Sequence, residues 1–392
     1  MMTREERLIA FCQEAIRTPS FSGREQAAAE LMKRKMEEYG FDEVQIDRYG
    51  SVLGRIRGKR PGKTILMDGH IDHVDVIDAE HWTHDPFGGE IENDRIYGRA
   101  ASDMKGSVTA MISAAAWLAE DTNRDFAGEI CVSCTVHEEC FEGISSREIS
   151  RAAKPDFVII GEATSATVKI GQRGRAEVVV ETEGVSCHSS NPEKGVNAVY
   201  HMMAVIEEIR KIVPNEHPIL GKGILELTDI VSAPYPGASV VPALCRATFD
   251  RRTLVGEDES VILGQVEEAI SRAQERVPGL KARTYLAEGS EACWTGETIS
   301  AKRYFPAWVV DENSELVRAA LAGLKEAGID APISHFSFCT NGSHFCGEAG
   351  IPTIGFGPSL ESLAHVRDEY IEIEQLTRSC RGFYGILSRL TR

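Results

Sequence analysis

Apolar and polar residues follow two different periods along the chain, and the period changes from segment to segment. Helical spacing over residues 3–17 and 23–39 predicts two helices, the second with Ser22 as its N-cap and Gly40 as its end. Short β-type runs then alternate with helical segments. The predicted strands are 44–47, 51–57, 64–68, 128–136, 156–160 and 351–356, and the Ala-rich run 105–119 is a predicted helix. This alternation indicates an α/β sheet with helices on both faces, in which ligands gather at the carboxyl ends of the strands.

The middle of the chain has a different order of elements, β-α-β-β-α-β. The predicted elements are strand 175–183, helix 195–212, strand 223–231, strand 243–251, helix 259–276 and strand 281–286. This order is typical of a small ferredoxin-like α+β domain. We therefore predict a main domain in two halves, residues 1–173 and 290–392, with residues 174–289 inserted between them.

Composition narrows the classes of partner. The 392 residues leave room for two domains, and the net charge of −17 argues against a nucleic-acid partner. No apolar run reaches the length of a membrane helix, and the first residues lack the apolar core of a signal peptide. We expect a cytoplasmic protein with reduced cysteines. Cys131 and Cys134 lie in the predicted strand 128–136 on opposite faces, so packing is the expected role of this C-x-x-C pair.

Acidic residues and histidines follow several of the predicted strands directly. Two divalent cations bridged by one carboxylate need one bridging acid and two terminal ligands for each ion. The chain offers that number in turn-like contexts: His70, Asp103, Glu139, Glu162 and His365. Taken singly, each has an ordinary alternative; Asp103 could be the N-cap of the helix 105–119, and Glu138 and Glu139 could be a solvated loop pair. The occurrence of all five residues together, in this order along the chain, favours a two-metal site.

The segments around these residues resemble those of a known family. They are Met67-Asp68-Gly69-His70-Ile71-Asp72, Ser102-Asp103-Met104-Lys105-Gly106, His137-Glu138-Glu139, Gly161-Glu162 and Ala364-His365-Val366. The family is that of the co-catalytic zinc aminoacylases, acetylornithine deacetylases, succinyl-diaminopimelate desuccinylases and related dipeptidases, over about residues 5–390. The chain looks most similar to the subgroup of selenium-metabolism-linked hydrolases. The resemblance implies a zinc-exopeptidase-like catalytic domain with a central mixed sheet, and a lid or dimerisation role for the insertion.

The resemblance also implies a role for each site residue. One ion would be held by His70, Asp103 and Glu162, and the other by Asp103, Glu139 and His365, so that Asp103 bridges them. Asp72 would orient the His70 ring, and Glu138 would be the general base. Zn²⁺ is the expected metal, although Co²⁺ and Mn²⁺ accept the same ligands.

Three further residues match positions that contact substrate in the family. His188, in Cys187-His188-Ser189, would reach into the partner subunit's site of a homodimer and stabilise the oxyanion; a surface loop histidine is the alternative. Arg252 would clamp a substrate carboxylate, with a structural salt bridge to Asp250 as the alternative. Asn341 lies where family members carry a Gly-rich substrate loop, and we expect it to contact substrate.

Four other histidines lie near these motifs. His344 could contact substrate or be an ordinary polar loop residue. His73, His81 and His84 are not expected to be ligands, because the set of five is already complete.

The resemblance implies a hydrolase that cleaves the amide bond of an N-acyl amino acid, of deacetylase or desuccinylase type, through a water that bridges the metals. A dipeptidase and a carbamoyl or ureido hydrolase are open alternatives. A non-catalytic binding protein is more distant, since neither Glu138 nor any ligand is lost. Departures from the family pattern leave the acyl group open: Ala243 follows Val241-Pro242, and Asn341-Gly342-Ser343-His344 replaces a Gly-Gly-Thr-Asp loop.

Overall fold

The computed structural model describes residues 2–392, and within them no helix is long and apolar enough to cross a membrane. The α-helices of that range are α1 (Arg4–Ile16), α2 (Gln26–Glu38), α3 (Gly106–Asp121), α4 (Ser146–Ala153), α5 (Ala198–Ile209), α6 (Glu259–Arg276), α7 (Glu315–Glu326) and α8 (Ile373–Leu390).

The strands are mostly short. In chain order they are β1 (Glu43–Ile46), β2 (Val52–Arg57), β3 (Arg60–His70), β4 (Glu90–Glu92), β5 (Arg95–Tyr97), β6 (Ala127–Thr135), β7 (Phe157–Ile160), β8 (Val168–Gln172), β9 (Gly174–Glu183), β10 (Glu216–His217), β11 (Gly221–Lys222), β12 (Ile224–Ala233), β13 (Leu244–Thr253), β14 (Lys281–Leu286), β15 (Glu288–Ala292), β16 (Thr298–Lys302), β17 (Tyr304–Phe305), β18 (Trp308–Val309), β19 (Ile333–Phe336), β20 (Thr353–Gly355) and β21 (Tyr370–Glu372).

The first two helices begin differently from each other. Thr3 and Glu6 form a capping box at the start of α1, since each side chain accepts a hydrogen bond from the other residue's backbone N–H. Helix α2 begins at Gln26, and the prediction of Ser22 as its N-cap is wrong. The Ser22 hydroxyl instead donates to Asp72 Oδ2 at 2.8 Å. Gly40, at φ +80°, ends α2 as predicted, because only glycine adopts this left-handed conformation without cost.

A mixed nine-stranded sheet forms the centre of the main domain. Its strand order is β1-β2-β6-β3-β7-β20-β8-β18, and β19 also pairs with β8. Strands β6, β3, β7 and β20 run parallel, whereas β1, β2 and β18 join antiparallel. The predicted α/β class is confirmed, and the parallel centre brings the carboxyl ends of β3, β6 and β7 to one edge.

Alternate residues of the central strands serve two separate apolar cores. Ile65 and Met67 of β3 pack with α1, α3 and α8, whereas Leu66 packs on the opposite face with α4. Cys131 and Cys134 are both free and buried, and they too belong to opposite cores. Their packing role follows from this division, and helices cover both faces of the sheet.

The inserted segment has the predicted β-α-β-β-α-β order. Its antiparallel sheet runs β12-β13-β9-β14, with β17 also pairing with β9, and α5 and α6 share one apolar core with it. This is the ferredoxin-like arrangement. Helix α5 begins at Ala198, three residues later than predicted, because the Asn197 side chain accepts a hydrogen bond from Val199 N–H and caps it there.

The contacts divide the chain into two compact units. One comprises the chain up to Gln172 with Ser290–Ser300 and Trp308–Arg392, and the other comprises Arg173–Gly289 with Ala301–Ala307. The second unit therefore takes a short segment that the predicted range 290–392 assigns to the main domain. The physical reason is β17, whose Tyr304 and Phe305 pair with β9.

Candidate metal centre

Four of the candidate residues come from the shared edge of the central sheet. His70 is the last residue of β3, Glu138 and Glu139 follow β6, and Glu162 follows β7. Because β6, β3 and β7 are parallel neighbours, the side chains that follow them converge.

Asp103 and His365 reach the same place from loops. Asp103 lies in an irregular turn, Ala101–Lys105, that precedes α3, with φ −125° and ψ 91°. His365 follows a short turn, Glu361–Leu363, and has φ +63°. Asp103 does not cap α3, because both of its carboxylate oxygens face histidines.

The Asp103 carboxylate stands between two imidazoles. Its Oδ1 lies 3.0 Å from His70 Nε2, and its Oδ2 lies 3.2 Å from His365 Nε2. A carboxylate with one oxygen directed to each of two histidines is placed as a bridging ligand would be.

Each imidazole also faces a second carboxylate. Glu162 Oε1 lies 3.4 Å from His70 Nε2, and Glu139 Oε2 lies 3.1 Å from His365 Nε2. Glu138 Oε2 is farther from His70 Nε2, at 3.9 Å. The result is two triplets that share Asp103, with Glu138 beside the first.

Buried acids outnumber bases in this cluster. Hydrogen bonds that Asp103 and Glu139 accept from His365 raise the pKa of this histidine to about 10. Burial, and then the charge of Asp103, raises the pKa of Glu162 to about 7. Burial also raises the pKa of Glu138, and Glu162 and Glu139 add to this against the opposing effect of His70. Such an excess of buried negative charge has to be neutralised, by protons or by cations.

The donor set itself fits divalent cations. Imidazole nitrogens and carboxylate oxygens are the ligands that Zn²⁺, Mn²⁺ and Co²⁺ share. Buried Glu138 Oε1 has no hydrogen-bond partner among the described residues, so it is free to bind a ligand. The residues present therefore form a candidate site for metal ions.

The sequence model of peptidase family M20/M25/M40 matches residues 66–389. The chain belongs to this family. It is a metal-dependent hydrolase that acts on amide bonds, and the resemblance inferred from the motifs is confirmed at family level. The narrower resemblance to selenium-metabolism-linked hydrolases stays a prediction.

Relatives of similar length align over almost the whole chain. The uncharacterised protein YgeY of Escherichia coli (strain K12) is 33% identical over 382 residues, which cover 96% of this chain and 92% of YgeY. Succinyl-diaminopimelate desuccinylase 2 of Ruegeria sp. (strain TM1040) is 32% identical over 393 residues, covering 96% of this chain and 93% of the desuccinylase.

Solved structures share the fold at lower identity. Aminopeptidase PepT from Bacillus cereus ATCC 10987 superposes with a TM-score of 0.77 at 17% identity, covering 98% of both chains. The YXEP protein of Bacillus subtilis, described as a dinuclear metal-binding peptidase of family M20, superposes with a TM-score of 0.74 at 14% identity, covering 99% of both chains.

Asp72 has more partners than the sequence suggests. The His70 Nδ1–H donates to the backbone carbonyl of Asp72 at 2.9 Å, so Nε2 is the ring nitrogen that faces the carboxylates and would bind a cation. The Asp72 carboxylate is fully buried and lies 3.6 Å from His70 Nδ1. It accepts hydrogen bonds from the backbone N–H groups of Glu138, at 3.0 Å, and Glu139, at 3.2 Å. Asp72 therefore fixes the turn that carries these two acids as well as the ring.

A second carboxylate with this kind of role, Glu369, is missing from the sequence prediction. Its Oε1 accepts hydrogen bonds from Ser102 N–H at 2.8 Å and Asp103 N–H at 3.0 Å, and its Oε2 pairs with Arg99 at 2.6 Å. Glu369 is fully buried and Arg99 is 4% exposed. The only signal in the sequence is its place four residues after His365, which does not distinguish it from a surface acid.

We expect Glu369→Gln to lower the free energy of unfolding by about 2 kcal/mol, because the variant leaves the buried Arg99 charge without its partner. Urea denaturation of the metal-loaded protein measures this. Glu374→Gln, an exposed change in the first turn of α8, is the control. Equal stability of the Glu369 variant and this control would contradict the role given to Glu369.

Asn341 has no polar atom left free for the predicted substrate contact. It is 2% exposed, and its amide is fully engaged. Oδ1 accepts from Gly143 N–H at 2.8 Å, and Nδ2 donates to Asp68 and to Thr135, each at 2.9 Å. Asn341 thus ties the loop after Glu139 to the ends of β3 and β6.

The four other histidines considered in the sequence analysis have partners outside the triplets or are exposed. His344 contacts Glu348 through Nδ1 at 2.8 Å and the Ser150 hydroxyl through Nε2 at 2.7 Å. His73 Nε2 accepts from Ser20 N–H, and its Nδ1 lies 2.8 Å from its neighbour's carbonyl. His84 pairs with Glu92 and His81 is exposed. None of these four histidines belongs to either triplet.

The two candidates in the inserted unit lie on its surface. The exposed His188 ring accepts hydrogen bonds at Nδ1 from Ser190, and its Nε2 has no partner among the described residues. Arg252 donates from Nε to Asp250 Oδ1 at 2.8 Å, the salt bridge that is the alternative to substrate binding. The terminal nitrogens of Arg252 have no partner in the described part of the chain.

A cleft of about 750 Å³ opens beside the second triplet. Glu139 and His365 line it together with residues of the loop after β3 and of the strand β15. A small substrate can therefore approach the triplets from this side.

Proposed function

We propose that the protein removes the acyl group from an N-acyl amino acid, as a deacetylase or desuccinylase does. The observation that carries this proposal is the Asp103 carboxylate between two His/carboxylate triplets with a separate acid, Glu138, beside them. The desuccinylase name of a relative aligned over 96% of the chain supports the substrate class.

Two divalent cations, Zn²⁺ first and Co²⁺ or Mn²⁺ as alternatives, are proposed as cofactors. His70, Asp103 and Glu162 would hold one, and Asp103, Glu139 and His365 the other. When bound, the cations supply Lewis acidity, which polarises the scissile carbonyl and acidifies the attacking water. The description of the fold neighbour YXEP as a dinuclear metal-binding peptidase supports a count of two.

Glu138 is proposed as the general base and acid. It takes the proton of the attacking water at its Oε1 or Oε2 and later gives it to the departing nitrogen. Burial raises the pKa of Glu138, which favours a carboxyl that takes up a proton and later releases it. Asp72 holds the backbone of Glu138 and Glu139 so that the two adjacent acids point differently.

His188 and Arg252 are proposed to act on substrate from the inserted unit. The free Nε2 of His188 would donate a hydrogen bond to the developing oxyanion of the partner subunit's site. Arg252 would receive the substrate carboxylate on its free terminal nitrogens.

The His188 role needs a homodimer, and we propose that it forms through the inserted unit. Strand β12 is an unpaired sheet edge there, and Ile230 and Val231 on it are 47% and 42% exposed. Tyr200 and Met203 on α5 are 69% and 54% exposed. An open strand edge with exposed apolar side chains favours pairing with a second copy.

Mixing two inactive variants tests this arrangement. His188→Ala and Glu138→Gln should each be nearly inactive alone, but their mixture, after subunit exchange, should recover about a quarter of the native rate. Each mixed dimer then contains one site with both residues intact. No recovery, with mixed dimers demonstrated by mass spectrometry, would contradict the donation of His188 across subunits.

The proposed reaction is tested by amine release from a panel of compounds. Metal-reconstituted protein is incubated with N-acetyl, N-succinyl and N-carbamoyl amino acids and with dipeptides. Preferred hydrolysis of N-acyl amino acids is the expected result. Hydrolysis of dipeptides or N-carbamoyl compounds instead would establish one of the alternatives and reject the deacylase.

A further inference from the structure

The cleft beside Glu139 and His365 carries uncompensated negative charge. Among its lining residues are Asp75, in the loop after β3, and Glu291, on β15. Both are exposed, and neither has a hydrogen bond or ion pair to its side chain among the described residues. We call these two residues the acidic wall.

The positive residues of the cleft are already paired. Arg99 is buried and bound to Glu369 at 2.6 Å, and Arg367 is bound to Asp78 at 2.8 Å. The acidic wall is therefore the unneutralised charge that a substrate in this cleft meets.

His137 adds an independent sign of a ligand at this place. It lines the same cleft and is 1% exposed, and no side chain of the described residues bonds to either ring nitrogen; the polar group beside the ring is the backbone carbonyl of Ala292. Its backbone lies at φ +57°, a strained conformation for a non-glycine residue, and its N–H donates to the buried Glu25 at 3.4 Å. Buried polar groups without partners and strained residues both concentrate where ligands bind.

Glu291 and His137 both line this cleft. A neutral imidazole offers one acceptor nitrogen, which can take a hydrogen bond from an ammonium group. The acidic wall supplies the countercharge for the same group.

We propose that this cleft binds a cationic amino group of the substrate, with His137 accepting a hydrogen bond from it and Asp75 and Glu291 providing the opposite charge. This rests on the proposed amidohydrolase function and specifies its substrate class. The amine belongs either to the side chain of a basic amino acid or to the free terminus of a dipeptide.

Two pairs of probes, each differing by one amino group, test the proposal by binding. The pairs are N-acetyl-lysine against N-acetyl-norleucine, and alanyl-leucine against N-propionyl-leucine. Dissociation constants are measured by calorimetry on the metal-loaded Glu138→Ala protein, in which hydrolysis does not interfere. We expect the amine-bearing member of one pair to bind at least about fivefold tighter. The pair that shows the difference identifies the source of the amine.

Variants locate the effect. Asp75→Asn and Glu291→Gln, each added to Glu138→Ala, should bring the ratio of the two dissociation constants of a probe pair close to one. Glu297→Gln, an exposed change between β15 and β16 and outside the cleft lining, should keep it. The preference should also weaken as salt is added, because the acidic wall is exposed.

Equal binding within both pairs, tighter binding of the members without an amine, or no measurable binding of the amines at millimolar concentration would overturn the proposal. A parallel hydrolysis assay of the native protein with the same four compounds distinguishes failure of the cationic site from failure of the proposed function. Selective binding of an amine with no hydrolysis of any of the four compounds would reject the function for these substrates and keep the cationic site.

Discussion

Replacing Glu138 with glutamine is expected to lower kcat by about 10³-fold while the metal content stays that of the native protein. Glutamine keeps the size and the hydrogen-bonding capacity of the side chain but cannot take a proton from water. Glu138 lies 3.9 Å from His70 Nε2 and outside the two triplets that share Asp103, so its change should spare the ligands.

Single-turnover kinetics and metal analysis of the same preparation measure this effect. Glu139→Gln is the informative comparison, because Glu139 contacts His365 at 3.1 Å. This variant should lose metal as well as activity. If Glu138→Gln retained activity within tenfold of native with its metals bound, another group would have to be the base.

Replacing Asp103 with alanine is expected to remove both cations and to lower activity by at least about 10⁴-fold. Its two oxygens face His70 at 3.0 Å and His365 at 3.2 Å, so the change takes a ligand from each triplet at once. Asp103→Asn should retain at most one ion, because only one of its terminal atoms is an oxygen.

Metal content per chain after dialysis measures this, with thermal unfolding as a second readout, since cation binding stabilises the folded state. Glu162→Ala and His365→Ala each disturb one triplet and are expected to lose one ion. Two tightly held ions in Asp103→Ala would contradict the bridging position.

Much of the fold could be predicted because its signals are local. Short apolar runs such as Thr64-Ile65-Leu66 predict the strands β3, β6 and β7. Parallel strands then bring their carboxyl ends to one edge of the sheet, independently of the rest of the chain. The short strands β18 and β19 lack such runs. Their pairing with β8 depends on the sheet already being formed.

Some residues of the candidate site could likewise be predicted from local sequence, whereas others depend on contacts between distant segments. His70 ends a strand and Glu162 follows one closely, and the family pattern supplies their grouping with Asp103 and His365. The supporting carboxylate Glu369 and the amide of Asn341 bind backbone N–H groups that are 266 and 198 residues away in sequence. Nothing local in the sequence marks such contacts. For the same reason Ser22 looked like a helix cap, although its hydroxyl binds Asp72, 50 residues later.

The most direct test of the two-cation site is a crystal structure of the metal-loaded protein with anomalous difference maps at the absorption edge of the bound metal. We predict two peaks in each subunit, one contacted by His70 and Glu162, the other by Glu139 and His365, with Asp103 contacting both. A single peak, or a pair of peaks that Asp103 does not join, would contradict the proposed centre.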